Sequence, residues 1–109
     1  MAITNVAIAS QSGGAPGNPE YTDIVTLNLD NSYVTGGYAN FNASVAPVIG
    51  PNRTIMGVTQ NNYPGTTKCE AKYDRTNDKL VCYDAAFAEI ANGVDLISVV
   101  GLELVITSK

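Results

Sequence analysis

The chain has 109 residues, of which 45% are hydrophobic and only 15% are charged. This length fits one domain, because a second core would be too small to fold alone. The formal net charge is −4 and the six basic residues form no cluster, so the composition argues against nucleic acid and anionic membranes as partners.

The first 20 residues are predicted to form a strand or an arm, followed by a loop. Residues 2–9 alternate imperfectly, with apolar side chains at Ile3, Val6 and Ile8. This pattern fits either the first strand of the domain or an extended arm that contacts a neighbour. Residues 10–20 are rich in Gly, Pro and Ser and are predicted to be a loop, and 21–109 are assigned to the main domain.

The middle of the chain carries several strand patterns. Residues 22–30 alternate clearly and predict a strand with one buried face. A turn with two glycines is predicted at 33–37, and apolar residues at every second position of 41–47 favour another strand. Residues 53–60 also read as a strand, in which Gly57 marks a bulge.

The second half of the chain predicts a hairpin and a final strand. Residues 67–73 and 79–83 form the two arms of the hairpin, around turn-forming residues at 74–78. Residues 84–92 fit a short helix, a strand or a turn, and the β-branched run at 98–107 predicts a last strand. About seven strands with little or no helix predict an all-β fold, a single antiparallel β-sandwich like a jelly roll.

The two cysteines lie on opposite arms of the predicted hairpin. If the turn places Tyr73 opposite Leu80, Cys69 and Cys82 share one face of the hairpin as diagonal neighbours. Two cysteines are too few for a disulfide scaffold. In a reducing cytosol we expect free, buried thiols in preference to a disulfide.

The sequence contains no set of residues that could carry out catalysis. Histidine is absent, so neither a Ser-His-Asp nor a Cys-His arrangement can be built. Asp74 and Asp78 could pair as carboxylates, or bind calcium together with Asn77, but Asx side chains in a turn usually bond their own backbone. We therefore expect a protein that is not an enzyme and that has no cofactor and no metal.

The chain carries no targeting or membrane-spanning pattern. No run approaches the roughly 18 apolar residues of a membrane helix. The N-terminus lacks the basic and apolar regions of a signal peptide. We therefore expect that the protein either stays in the cytosol in which it is made or leaves by lysis of the cell.

Tyrosine is the commonest aromatic residue and offers candidate contacts. Tyr73 and Tyr83 are read as cross-strand core residues. The tyrosines at predicted loop or strand ends fit an interface, because tyrosine is enriched there. The candidate contacts with a partner or a second subunit are Ile3, Val6, Ile8, Tyr21, Tyr38 and Tyr63.

Three segments resemble small structural proteins of tailed bacterial viruses. Tyr33-Val34-Thr35-Gly36-Gly37 resembles a Y-x-T-G-G turn that follows the first major strand of those proteins. Residues 73–83 resemble their hairpin, and 89–96 resemble an E-v-a-n-g-x-D-L segment that leads into a final strand. The matching positions are Tyr33, Thr35, Gly36, Gly37, Tyr73, Asp74, Lys79, Leu80, Tyr83, Glu89, Ile90, Asp95 and Leu96.

The family that the three segments resemble is that of the capsid decoration, or cement, proteins. The resemblance implies a virion protein made in the bacterial cytoplasm, which binds the major capsid protein on the outer surface of the assembled capsid and stabilises its subunit junctions. It also implies a homo-oligomer, with a trimer favoured over a dimer. A phage tail or head-fibre module and a ligand-binding β-sandwich are the alternatives.

Overall fold

The fold is a sandwich of two antiparallel sheets. The computed structural model describes residues 3–13, 20–50, 52–64 and 69–109. The elements are β1 (Thr4–Gly13), β2 (Tyr21–Asn28), β3 (Tyr38–Ala39), α1 (Phe41–Ile49), β4 (Ile55–Gln60), β5 (Glu70–Asp74), β6 (Lys79–Tyr83) and β7 (Leu102–Ser108). The four-stranded sheet has the order β1-β2-β7-β4 and the three-stranded sheet the order β3-β6-β5. The predicted all-β class and antiparallel sandwich are confirmed.

The core is built from the inner faces of both sheets and one face of α1. Alternate residues of β2 are fully buried at Val25 and Leu27, and those of β7 at Leu102, Leu104 and Ile106. Alternation arises because successive side chains of a strand point to opposite faces. Burying each such side chain contributes roughly 1.5–3 kcal/mol, so the β2–β7 pair anchors the domain.

The N-terminal segment is the edge strand of this same sandwich. β1 pairs antiparallel with β2, and its register shifts twice along the pairing. Asn5 has a positive φ of 50° near the first shift. Because β1 runs to Gly13, the predicted loop beginning at residue 10 is wrong over its first four positions. Residues 14–19 of that loop lie outside the described part of the chain.

The segment predicted as a strand at 41–47 is a helix, and that prediction is wrong. The buried side chains of α1 are Phe41, Val45 and Ile49, which recur every four residues and so line one helical face. The N-terminus of the helix is capped from a distance, because the main-chain nitrogen of Asn42 donates to Oδ1 of Asp78 at 3.0 Å. A cap from another element satisfies a donor that the helix leaves open.

The other local expectations are largely confirmed. The predicted bulge appears as a register shift between Ile55 and Gly57 in the pairing of β4 with β7. The hairpin forms with Tyr73 opposite Leu80. The last strand is shorter than predicted because residues 97–98 form a turn and β7 begins at Leu102.

The connection from β6 to β7 is long and irregular. Residues 84–101 contain turns and a single bridge between Tyr83 and Glu89, so the short helix considered at 84–92 does not form. In the described part of the chain, no helix is long and apolar enough to cross a membrane.

Candidate functional site

The three segments that carry the sequence resemblance meet at one corner of the sandwich. Tyr33 is fully buried at this corner. Its hydroxyl donates to Oε2 of Glu89 at 2.7 Å and accepts from the main-chain nitrogen of Cys82 at 3.1 Å. One side chain thus joins the first segment to the hairpin and to the third segment. Burial raises the pKa of Tyr33 and keeps it a neutral donor.

The two glycines of the first segment allow the chain to approach the hairpin closely. Gly36 and Gly37 both have a φ of 97°, which is costly for other residues. A Cβ at Gly37 would lie 2.5 Å from the carbonyl oxygen of Leu80. The nitrogen of Gly36 donates to Oε2 of Glu89 at 2.7 Å. Glu89 therefore fixes both Tyr33 and the turn that follows it.

The third segment runs alongside the first and is bonded to it along its length. The nitrogen of Tyr33 donates to the oxygen of Val94 at 2.9 Å, and the nitrogen of Thr35 donates to Oδ1 of Asn92 at 3.2 Å. Ile90 and Leu96 are buried, while Asp95 caps the turn that follows it. The matched residues of this segment hold the β6–β7 connection against the core.

The hairpin residues of the resemblance are also bonded within the fold. The Tyr73 hydroxyl donates to Oδ1 of Asp78 at 2.7 Å. Asp74 accepts from the nitrogen and the side-chain amide of Asn77, which lowers the pKa of Asp74. Leu80 is fully buried, and Lys79 and Tyr83 are half-buried residues of β6. Most of the matched residues thus build the corner.

The acidic residues of the hairpin turn, Asp74 and Asp78, make hydrogen bonds within the fold. Asp74 closes the hairpin turn through Asn77, as Asx side chains do. Oδ1 of Asp78 accepts hydrogen bonds from the nitrogen of Asn42 in α1 and from the hydroxyl of Tyr73. The sequence predicted only a local turn for Asp78 and did not predict these contacts with other elements. Among the residues that the structure describes, no three acidic, histidine or cysteine side chains cluster to hold a metal.

The two cysteines are free and buried. The register of the hairpin puts Cys82 opposite Ala71, and Cys69 lies two residues before Ala71. The two thiols interact, and this interaction lowers the pKa of Cys69 and raises that of Cys82. Burial raises the pKa of both thiols as well. The predicted diagonal placement on one face is therefore observed.

Five of the six predicted contact residues fall into three groups. Ile8 and Tyr63 are exposed, at 40% and 67% of their surface. Ile3 and Val6 are partly buried against the core. The Tyr21 ring is covered by the Arg53 guanidinium, 3.2 Å from the ring centroid.

Tyr38 is a core residue, and the prediction that it forms a contact is wrong. Its side chain is 2% exposed, and its ring packs edge-on against Tyr33 at 5.8 Å between centroids. Its hydroxyl donates to Oδ1 of Asp30 at 3.1 Å. The sequence places this residue at a strand end, but the pairing of β3 with β6 brings it inside the sandwich.

The sequence analysis missed a set of exposed apolar side chains on the β6–β7 connection and on the β2–β3 connection that is bonded to it. We call these residues the β6–β7 surface: Val34 is 42% exposed, Phe87 72%, Ile97 58% and Val100 57%. Asp84 accepts from the nitrogens of Ala86 and Ala88 and so orders the turn that holds Phe87 out. The sequence held only a weak signal for Phe87, an apolar residue in a turn that begins at Asp84, since turns usually lie at the surface.

Comparisons with known proteins leave the function to be argued from the chain itself. No family profile, no curated protein and no solved structure matches it. The candidate site is therefore defined by geometry alone. It consists of the hydrogen-bonded corner around Tyr33 and the adjoining β6–β7 surface.

Proposed function

We propose that this protein is a virion structural protein that binds the outside of an assembled bacterial-virus capsid and stabilises the junctions between major capsid protein subunits. The resemblance of three segments to decoration proteins supports this proposal. The observation that carries it is the β6–β7 surface, which is apolar, exposed and attached to the corner built from those segments.

The β6–β7 surface has the chemistry of a protein contact. Exposed apolar residues that cluster usually mark an interface, whereas scattered ones need no explanation. Val34, Ile97 and Val100 all lie on the two chain segments that run side by side, since Leu29 and Tyr33 bond to Val99 and Val94. The low charged fraction of the chain also suits a surface that another protein covers.

Binding to a lattice explains why so small a surface would suffice. A ligand that binds only the assembled capsid stabilises it by mass action. A homo-oligomer, with a trimer favoured, would contact several subunits at once and so gain avidity from modest contacts. Neither effect requires an active site.

The test is binding to capsids from which this protein has been removed. We expect the purified protein to restore decoration of stripped heads and to raise the temperature at which DNA escapes. Full decoration with unchanged heat stability would leave a passive coat and remove the stabilising role. Density on the tail in electron micrographs of the parent particle would replace the proposal with a tail module.

Variants of the β6–β7 surface locate the contact. Phe87→Ser and Ile97→Ser should weaken binding to stripped heads without lowering the melting temperature, because both side chains are exposed. Ala85→Ser, in the same connection, is the matched control and should bind as the unmodified protein does. Unchanged binding of both serine variants would place the contact elsewhere.

A further inference from the structure

One side of the sandwich is open between two edge strands. β4 is an edge of the four-stranded sheet and β5 is an edge of the three-stranded sheet. Gln60 contacts Ala71 at one end of this side, and Nη2 of Arg75 lies 3.4 Å from Sδ of Met56 at the other. The two strands therefore pass each other antiparallel, without pairing in a ladder.

Main-chain groups of both strands point into this opening. The nitrogen of Asn61 donates to the oxygen of Glu103. Because main-chain direction alternates along a strand, the N–H and C=O groups of Thr59 also point toward β7, and those of Val58 point outward. The main-chain groups of Cys82 are taken by the Tyr33 hydroxyl and Ile90, so the residue opposite it, Ala71, also points its main chain away from the hairpin. Tyr73 does the same by alternation.

The side-chain amide of Gln60 hydrogen-bonds to the outer edge of β5 as a main-chain peptide group would. Its Oε1 accepts from the nitrogen of Ala71 at 2.6 Å, and its Nε2 donates to the oxygen of Cys69 at 2.9 Å. A side-chain amide thus makes the pair of hydrogen bonds that a neighbouring strand would make with β5. The edge is therefore competent to accept an amide at this point.

Beyond Gln60 the opening is a cleft of about 420 Å³, bordered by Tyr63 and Tyr73. Its lining carries one acid and one base, Glu70 and Lys72, whose charged atoms are 3.9 Å apart. A lining with no net charge does not select phosphate or another anion. It suits an uncharged segment that is recognised through its main chain. Val58, Thr59 and Ala71 also line the cleft.

We infer that this cleft binds a short, extended and uncharged peptide segment of the partner, which pairs with the carbonyl oxygen of Ala71 and the main chain of Tyr73 and lies against Val58. The main-chain hydrogen bonds supply affinity, as in other cases of strand addition. The span from Gln60 to Arg75 leaves room for roughly four extended residues, about 13 Å. The source of the segment, the major capsid protein, rests on the proposed function.

The experiment uses synthetic peptides of about eight residues that tile the major capsid protein of the parent particle, added to the full-length protein. We expect one uncharged peptide, or an overlapping pair, to slow amide exchange at Tyr73 and Val58. Thr59→Trp fills the cleft from an exposed position and should weaken that binding at least about tenfold. Thr76→Trp, in the exposed hairpin turn, is the matched control and should bind normally.

A second variant tests the main chain itself. Val58→Pro removes an outward nitrogen that β7 does not use, and proline is tolerated on edge strands at such positions. It should weaken binding while the circular dichroism spectrum stays that of a β protein. If the proline variant does not fold, Thr59→Trp still tests whether the peptide binds in the cleft.

The outcomes separate this inference from the proposed function. If stripped heads bind the protein but Thr59→Trp binds them equally well and no peptide protects Tyr73, the cleft inference falls and the function stands. If a peptide protects Tyr73 but the heads are not bound, the decoration role falls and the cleft remains a peptide site. Failure of both binding assays overturns both.

Discussion

Two polar clusters at different places in the sandwich are bonded very differently. At the motif corner, the buried Tyr33 hydroxyl and the carboxylate of Glu89, an exposed residue, each have short partners, at 2.7 Å for the bond they share. In the other cluster, on the inner face of the four-stranded sheet, Asp23 and Ser108 are fully buried, yet neither carboxylate oxygen of Asp23 nor Oγ of Ser108 has a partner with hydrogen-bond geometry. The first cluster is satisfied and the second is not.

The pairing register of β2 with β7 explains why Asp23 and Ser108 are buried. Asp23 is opposite Ile106 and Ser108 is opposite Tyr21, so both polar side chains share the inner face with the core. The Arg53 guanidinium is drawn over the Tyr21 ring, and its Nη1 is also buried without a partner. Burial raises the pKa of Asp23, and the nearby Gln11 amide and Arg53 offset this only in part.

The contrast shows where the stability of this domain resides. A buried polar group that is bonded costs little, whereas one left without a partner costs roughly 1–3 kcal/mol. We therefore expect substitutions at the motif corner to destabilise the fold and the removal of charge from the Asp23 cluster to stabilise it. The four predictions below test that contrast, from the largest expected effect to the smallest.

Gly37→Ala should have the largest effect, a loss of about 3 kcal/mol in the free energy of unfolding. The new Cβ would meet the backbone oxygen of Leu80 at 2.5 Å, at a φ of 97°. Gly36→Ala is the matched control, since it has the same φ but the nearest atom is the flexible Lys79 Nζ at 3.5 Å. Urea unfolding of both variants measures the difference, and equal losses would show that the backbone moves freely here.

Tyr33→Phe should cost about 2 kcal/mol of unfolding free energy. The ring remains, but the Glu89 carboxylate and the buried nitrogen of Cys82 each lose their bond to the hydroxyl. Tyr63→Phe removes the same atom from a side chain that is 67% exposed and should change stability by less than about 0.5 kcal/mol. Thermal unfolding of both proteins is the measurement, and a Tyr33→Phe variant as stable as the unmodified protein would contradict the prediction.

Asp23→Asn should stabilise the protein by about 1 kcal/mol at neutral pH. The substitution removes the charge whose burial raises the pKa of Asp23. The advantage of the variant should shrink as pH falls through the raised folded-state pKa toward the ordinary value of 3.8, because Asp23 then becomes neutral in the unmodified protein. A variant that is less stable at neutral pH would show that the carboxylate is favourably bound.

Asp74→Asn should have the smallest effect, with the opposite dependence on pH. Asn77 holds the pKa of Asp74 below 3.8, so the folded state favours the carboxylate. The stabilisation that this gives is present above pH 3.8 and is lost as pH falls through the lower folded-state pKa. We therefore expect the difference in melting temperature between variant and unmodified protein to change in opposite directions for the two aspartate variants as pH falls. Parallel changes would contradict the opposite pKa shifts of Asp23 and Asp74.

Features set by local pattern could be predicted from the sequence. The alternation in β2, the bulge at Gly57 and the hairpin register at Tyr73 and Leu80 all depend on residues close in the chain. α1 could not be predicted, because Phe41 and Val45 fit both a strand period and a helix period. The cap on Asn42 that favours the helix comes from a distant turn.

The candidate site was only partly predictable for the same reason. The motif residues were singled out by resemblance, but their meeting at Tyr33 depends on pairings between distant segments. Tyr38 looked like a strand end and is buried by its pairing with Leu80. Phe87 and Ile97 gave no strong signal, because an apolar side chain in a loop can be buried or exposed depending on what the loop covers.

The central position of β7 has a consequence for how the chain folds. β7 lies between β2 and β4, and the pairing of Tyr21 with Ser108 joins parts of the chain that are far apart in sequence. Closing a loop over such a distance costs conformational entropy before any of the stabilising contacts form. We therefore expect this sheet to form late and slowly. The β5–β6 hairpin needs only a short loop and can form first. An early intermediate would then expose the edges of the unfinished sheet to other copies, which makes aggregation the main hazard during refolding.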